Sequence, residues 1–159
     1  MEQRINFYGQ EKGQQAMKAL YGFTTYLAKS SVEKPLLNLI YYRVSQINGC
    51  AYCLDMHSKD LRAEGETEQR LFVLDAWREA PFYTDRERAA LAWAEAITKV
   101  TEGHVPDAVY QQAHEQFSDE ELVDLTVAAI TINNYNRINI AFRVKAGGYQ
   151  PAEHKVLAK

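Results

Sequence analysis

This chain of 159 residues has few cysteines, no long apolar run and no strong excess of one charge. No apolar run approaches the roughly 20 residues that span a bilayer, and residues 1–5 lack the apolar stretch of a secretory signal. The net charge is −3 and the basic residues are scattered, unlike the basic patches of nucleic-acid-binding proteins. We therefore expect a cytoplasmic protein whose partners include neither membranes nor nucleic acids.

Only two cysteines are present, Cys50 and Cys53. A chain of this length can bury a hydrophobic core without disulfide bonds. In the reducing cytoplasm an isolated Cys-x-x-Cys pair is more often catalytic or metal-binding than a structural cross-link.

Alternating apolar and polar residues, the pattern typical of strands, are also missing, whereas apolar residues recur at helical spacing. Capping boxes are predicted at Thr84 to Glu87 and at Ser118 to Glu121, and Thr67 is a third helix cap. The chain is therefore predicted to be all-α, one domain over residues 1–159 with about seven helices packed as a bundle. The predicted helices cover residues 10–29, 32–47, 50–65, 67–77, 84–101, 106–117 and 118–145.

A candidate redox centre lies at the start of the third predicted helix. One turn of helix places Cys50, Cys53 and His57 on the same face. Asn48 is predicted to be the N-cap, so that Cys50 falls in the first turn, where the helix dipole stabilises a thiolate. His57, four residues after Cys53, can instead act as a base towards that thiol.

Such a dithiol suits the reduction of hydroperoxides. A thiolate attacks the O–O bond and becomes a sulfenic acid, which the second thiol converts to a disulfide. An external thiol must then reduce this disulfide by exchange.

Other roles for the same residues stay open. The cysteines can be inert core residues, or they can bind zinc with His57 and a fourth ligand such as His104, His114 or a glutamate. Haem attachment is excluded because Leu54, not histidine, follows the second cysteine. A thioredoxin fold is disfavoured because its motif follows a strand.

The motif Arg-x-Ser-Gln-x-Asn-Gly-Cys-x-Tyr-Cys-x-x-x-His over residues 43–57 resembles the core of the AhpD-like alkylhydroperoxidases, within the carboxymuconolactone decarboxylase family. Residues 118–125 and 132–137 are also similar to the C-terminal segment of that family. The similarity extends from about residue 34 to about residue 146, and its redox core covers residues 34–65.

The resemblance implies an all-helical antioxidant peroxidase that reduces small organic hydroperoxides and associates into trimers or hexamers. It implies no bound cofactor or metal, and an external thiol or dithiol as the reductant. By similarity, Cys53 is the peroxidatic cysteine, Cys50 the resolving cysteine and His57 the proton relay. The helix-dipole argument alone would have favoured Cys50 as the more acidic thiol.

One position departs from the family pattern. A glutamate often stands twelve residues before the first cysteine, where this chain has Asn38. An amide cannot accept a proton as a carboxylate does, which leaves Asn38 to orient a water molecule or the imidazole. Tyr52 is a second supporting candidate, through a hydrogen bond near the site or through packing. Glu64 shares the helical stripe of the cysteines, but it is predicted to be solvated.

Three other functions compete with peroxide reduction. A dithiol–disulfide oxidoreductase or redox sensor is compatible with Asn38, a lactone-acid decarboxylase needs no paired cysteines, and a metal-binding module needs no turnover.

The asparagine-rich stretch of the last helix predicts buried hydrogen bonds at the active site, at a subunit contact or at neighbouring helix ends: Asn133, Asn134, Asn136 and Asn139.

Overall fold

The computed structural model describes residues 2–151. Within this range the chain forms seven α-helices and no strand, which confirms the all-α prediction. In these residues, no helix is both long and apolar enough to cross a membrane. The helices are α1 (Glu11–Leu27), α2 (Lys34–Asn48), α3 (Ala51–Ala63), α4 (Glu68–Phe72), α5 (Asp85–Thr98), α6 (Asp107–His114) and α7 (Asp119–Phe142).

Predicted side-chain caps start three of the helices, α4, α5 and α7. Both predicted capping boxes form: the Thr84 and Ser118 side chains accept hydrogen bonds from the backbone N–H groups of Glu87 and Glu121, whose carboxylates bond back. The Thr67 hydroxyl caps α4 as predicted. These caps satisfy backbone N–H groups that have no partner inside the helix.

Several helices end earlier than predicted. α4 ends at Phe72 and is followed by a separate 3₁₀ turn, Leu74–Ala76, where a continuous helix to residue 77 was predicted. α7 ends at Phe142 because Arg143 adopts a left-handed conformation with φ of 54°. Both predictions extended the apolar periodicity beyond the point where the backbone turns.

The main core lies between α2, α5 and α7. Alanines are fully buried on the two facing helices, Ala89, Ala90 and Ala94 on α5 and Ala128 and Ala129 on α7. Such small side chains allow helix axes to approach closely. Leucine, isoleucine and valine side chains of α2 complete this core, so that α2 is held firmly before it reaches the cysteines.

A buried ionic cluster joins α2 to α5. Glu95 accepts hydrogen bonds from Arg43 at 2.7 Å and from the Trp77 indole at 2.8 Å, and it pairs with Arg78 at 2.7 Å. Burial alone would raise the pKa of Glu95, but the hydrogen bonds from Trp77, Arg43 and Arg78 outweigh it and lower the pKa. Arg43 also pairs with Asp75. The arginine predicted within the redox motif is therefore an ion-pair partner in the core.

Candidate active site

Cys50 lies at the junction between α2 and α3. Gly49 ends α2 in the left-handed conformation, with φ of 66°, which glycine adopts without steric cost. Cys50 itself is then the N-cap of α3, and its Sγ accepts a hydrogen bond from the backbone N–H of Cys53 at 3.4 Å. The prediction that Asn48 is the N-cap is wrong, because Asn48 is the last residue of α2. The Cys50 Sγ instead accepts the capping hydrogen bond that a side-chain oxygen usually accepts.

The two cysteines form a disulfide with their Cα atoms 5.4 Å apart, a separation typical of protein disulfides. Each cysteine is only 1% exposed. The two sulfurs are therefore bonded to each other within one helical turn and are shielded from bulk solvent.

A cavity of about 420 Å³ reaches Cys53. His57 lines the same cavity, as do Asn139 of α7 and Tyr8 of the N-terminal turn. Exposed residues of α1, including Tyr21, form part of the wall, so the cavity opens to the surface beside α1. Its walls are largely apolar and aromatic, with five tyrosines contributing: Tyr8, Tyr21, Tyr41, Tyr52 and Tyr135.

His57 is buried in this wall, with 8% of the residue exposed. Burial lowers its pKa to about 4, because the charged imidazolium is poorly solvated there. The centroid of its ring lies 5.5 Å from the centroid of the Tyr41 ring. Within residues 2–151, its Nε2 is the one buried side-chain nitrogen or oxygen that lacks a hydrogen-bond partner. At neutral pH the site therefore holds an uncharged imidazole.

Asn139 connects Cys53 to the N-terminal segment. Its side-chain Nδ2 donates a hydrogen bond to Cys53 Sγ at 3.3 Å, and its Oδ1 accepts one from the Tyr8 hydroxyl at 2.7 Å. The sequence placed Asn139 in the asparagine-rich stretch and left open whether its hydrogen bonds lie at the active site, at a subunit contact or at neighbouring helix ends. Tyr8 was missed, because no local pattern marks it.

Asn133 and Asn136 of α7 serve the fold. Asn48 donates to the side-chain oxygens of Asn133 and Asn136, each at 2.9 Å, and Asn136 donates to Ser45 at 3.0 Å. These bonds tie α7 to the end of α2 just before the cysteines. The prediction of buried hydrogen bonds is confirmed for Asn133, Asn136 and Asn139, which have two separate roles.

The predicted supporting residues lie in two different places. Tyr52 lines the cavity, whereas Asn38 donates a hydrogen bond to Glu64 at 2.6 Å. Lys34 also pairs with Glu64 at 2.6 Å, and the Glu64 side chain is only 19% exposed. Glu64 as a whole residue is exposed, as predicted, but its carboxylate is bound by Asn38 and Lys34.

The zinc alternative required a fourth ligand near the cysteines. His114 instead lies 3.1 Å from Asp119 at the start of α7. Among residues 2–151, no group of three or more histidine, cysteine, aspartate or glutamate side chains is arranged to hold a metal ion.

Comparison with known proteins places this geometry in a family. The model of the carboxymuconolactone decarboxylase family matches residues 13–96. The uncharacterised protein YdfG of Bacillus subtilis is 42% identical over 146 residues, which is 92% of this chain and 98% of YdfG.

Two solved structures show the same fold. ATU0492 of Agrobacterium tumefaciens is a protein of unknown function for which the identity of antioxidant defence protein AhpD has been suggested. It is 40% identical, with a TM-score of 0.87 over 93% of this chain and all of that chain. An uncharacterised peroxidase-related protein from Silicibacter is 25% identical, with a TM-score of 0.73 over 87% of this chain and 72% of that one.

The family match covers more than half of the chain, and the structural similarity extends over nearly all of it. A cysteine pair at the start of one helix, with a histidine one turn later, lies within the matched region. The chain belongs to the carboxymuconolactone decarboxylase family, among its AhpD-like members.

Proposed function

We propose that this protein is a thiol-dependent peroxidase that reduces organic hydroperoxides through Cys53 and Cys50, with His57 as the proton relay. The observation that carries this proposal is the Cys50–Cys53 disulfide at the end of a cavity whose wall includes both Cys53 and His57. The suggested antioxidant identity of ATU0492 supports the same activity.

The reaction begins with the reduced dithiol. His57, neutral at physiological pH, accepts the proton of the Cys53 thiol through Nε2 or through a water molecule. The Cys53 thiolate attacks one oxygen of the hydroperoxide, so an S–O bond forms as the O–O bond breaks. The leaving alkoxide takes up the proton and departs as an alcohol, while Cys53 becomes a sulfenic acid.

Cys50 then resolves the sulfenic acid. Its sulfur attacks Cys53 Sγ, the S–S bond forms, and the hydroxyl leaves as water after taking the proton of the Cys50 thiol. An external thiol or dithiol reduces the disulfide through a mixed disulfide and is itself oxidised. One hydroperoxide and two thiols thus yield one alcohol, one water molecule and one disulfide.

Burial of the two sulfurs favours a small substrate. Each cysteine is 1% exposed, and a cavity of about 420 Å³ falls within the size range of small-molecule sites. A small hydroperoxide can enter such a cavity, whereas a protein disulfide cannot reach the sulfurs without movement of the surrounding helices.

Asn38 favours a second candidate, a dithiol–disulfide oxidoreductase with weak peroxidase activity. The family often has a glutamate at this position, and the amide cannot take its part in proton transfer. Here the amide is bound to Glu64. A loss of peroxide chemistry would leave the exchange chemistry of the dithiol intact.

Titration of thiols separates the two candidates. The pre-reduced protein is mixed with one equivalent of cumene hydroperoxide, and free thiols and residual hydroperoxide are measured in parallel. We expect both thiols to disappear with the hydroperoxide and to return with dithiothreitol. Persistence of both thiols and of the hydroperoxide would contradict the peroxidase, and turnover of hydroxyethyl disulfide would then support the second candidate.

We also propose that the protein forms a homo-oligomer. Large apolar side chains of α1 and α7 are exposed in the single chain, among them Phe23 at 42%, Tyr26 at 48% and Ile130 at 41%. Exposed apolar surface of this kind is typical of protein–protein contacts. Light scattering coupled to size-exclusion chromatography will give the number of subunits, and a monomeric mass would contradict the proposal.

A further inference from the structure

The cavity around Cys53 lacks a source of positive charge. Among the described residues, its wall contains no lysine, arginine, aspartate or glutamate side chain. The titratable groups that face the sulfur are tyrosines from the N-terminal turn, α1, α2, α3 and α7, together with His57. Burial lowers the pKa of His57 to about 4, so its imidazole is neutral in the resting site and is charged only while it holds the proton taken from Cys53.

A permanent stabilisation of the anionic sulfur must therefore come from neutral hydrogen-bond donors. The Cys53 backbone N–H donates to Cys50, whereas the side chain of Asn139 donates to Cys53 Sγ at 3.3 Å. Both partners of the second bond are almost fully buried, Asn139 with 4% of the residue exposed. In a site of low dielectric constant a hydrogen bond to an ion is stronger than in water.

The direction of the Asn139 amide is decisive. An amide presents an N–H donor on one side and a carbonyl acceptor on the other, and only the N–H stabilises a thiolate. The Tyr8 hydroxyl donates to Asn139 Oδ1 at 2.7 Å. With the carbonyl oxygen held by Tyr8, the N–H group faces the sulfur. Burial is the main cause that raises the pKa of Tyr8 to about 12, so its hydroxyl keeps its proton at neutral pH.

Contacts with α1 and α7 hold Tyr8 in place. Phe7 stacks on Phe142 with ring centroids 5.0 Å apart, and the Arg4 N–H donates to the Phe142 carbonyl at 3.1 Å. Gly13 of α1 lies so close to the Phe7 carbonyl that any side chain at position 13 would overlap with it. The N-terminal segment is thus packed against the same end of α7 that carries Asn139.

We propose that Asn139 is a catalytic residue that stabilises the Cys53 thiolate through its amide N–H, and that Tyr8 is a positioning residue that fixes the direction of this amide. The inference rests on Cys53 being the attacking thiol of the proposed function. Both residues lie outside residues 13–96, which the family model matches.

The thiolate can be measured without any hydroperoxide. In a Cys50→Ser background, which keeps an oxygen at the N-cap, the rate of Cys53 alkylation by iodoacetamide is followed from pH 5 to pH 10 by mass spectrometry. We expect Asn139→Ala to raise the midpoint of this profile by about one pH unit, as a lost hydrogen bond to a charged group implies. Asn139→Asp should raise it further, because a carboxylate would face the sulfur.

Tyr8→Phe tests the positioning role. This change removes one hydroxyl and leaves the amide, so we expect an upward shift of about half a pH unit. Two matched controls should leave the midpoint unchanged: Asn134→Ala, an asparagine of α7 outside the cavity wall, and Tyr42→Phe, a half-buried tyrosine of α2.

The outcomes distinguish the inference from the proposed function. Unchanged midpoints in folded Asn139→Ala and Asn139→Asp proteins would overturn the role of Asn139, and an unchanged Tyr8→Phe midpoint would overturn that of Tyr8. Asn139→Asp has the same shape as the native residue, so it keeps the test valid if Asn139→Ala does not fold. Shifts of the expected size in a protein that does not consume cumene hydroperoxide would support the inference and reject the peroxidase.

Discussion

The Arg43–Glu95 cluster and the Cys53–His57 cavity both bury polar groups. The polar groups of the cluster are hydrogen-bonded, whereas one nitrogen in the cavity wall is not. Glu95 is surrounded by three donors, from Arg43, Trp77 and Arg78. The His57 Nε2 has no partner within residues 2–151. A satisfied cluster stabilises one arrangement, whereas an unsatisfied nitrogen beside a cavity is available to a water molecule or a substrate. The first region should therefore control stability, and the second should control activity.

The largest effect is expected from Cys53→Ser. The change removes the nucleophile, so turnover of cumene hydroperoxide with dithiothreitol should fall by about a thousandfold or more. Cys50→Ser is the matched control: assayed after reduction and removal of dithiothreitol, it should consume one equivalent of hydroperoxide and then stop as the sulfenic acid. Full turnover by the Cys53→Ser protein would reject the assignment of the peroxidatic cysteine.

The second prediction tests whether the Arg43–Glu95 cluster determines stability. Glu95→Ala leaves Arg43 buried without its main partner, so the free energy of unfolding should fall by about 3–5 kcal/mol. Glu102→Ala removes an exposed pair with Lys99 and should cost less than about 1 kcal/mol. Urea unfolding under reducing conditions measures both. A small effect of Glu95→Ala would mean that this cluster does not determine stability.

His57→Phe separates an effect on activity from an effect on stability at a single residue. The phenyl ring has nearly the same shape and removes the unsatisfied nitrogen, so stability should not decrease. The kcat/KM for cumene hydroperoxide should fall by about a hundredfold, as expected for the loss of a general base. A large loss of stability with retained activity would reverse the comparison.

The smallest expected effect is on stability as a function of pH. The pKa of His57 in the folded protein is about 4, below the value near 6.5 of an unfolded chain, so the unfolded state binds the proton first as the pH falls. The corresponding stability is present above pH 6.5 and is lost towards pH 4. Between pH 6.5 and pH 5 the free energy of unfolding should decrease by about 1.5 kcal/mol.

The His57→Phe protein is the control for this pH dependence. Glu95, whose pKa is lowered, loses its contribution only below the ordinary range of a glutamate, so the interval from pH 6.5 to pH 5 isolates His57. A decrease of the same size in both proteins would assign the effect to other groups.

Sequence reasoning predicted what depends on neighbours along the chain. The capping boxes at Thr84 and Ser118 and the motif from Arg43 to His57 are short, and each acts through one or two turns of helix. It was wrong about the N-cap of α3, because the sulfur of Cys50 can replace the oxygen of a usual cap. That choice depends on Gly49, whose left-handed conformation ends α2 at Asn48, one residue later than predicted, so that Cys50 begins the next helix.

The hydrogen bonds that link Cys53 to Asn139 and Asn139 to Tyr8 were not predictable in the same way. Tyr8 and Asn139 are 131 positions apart and meet only when the N-terminal segment packs on the end of α7. The asparagine-rich stretch did signal buried hydrogen bonds, but helical periodicity alone does not assign Asn136 to the fold and Asn139 to the site. Tyr8 is one of ten tyrosines in the chain, and nothing in its neighbours distinguishes it.

The close approach at Gly13 makes the redox site sensitive to a residue that has no functional group. Alanine at this position would favour helix α1 by about 1 kcal/mol, yet its methyl group would push away the turn that holds Phe7. We expect Gly13→Ala to preserve every side chain of the cavity while loosening the hold of Tyr8 on Asn139. The reactivity of the sulfur would then be adjusted from α1, independently of the cysteine motif.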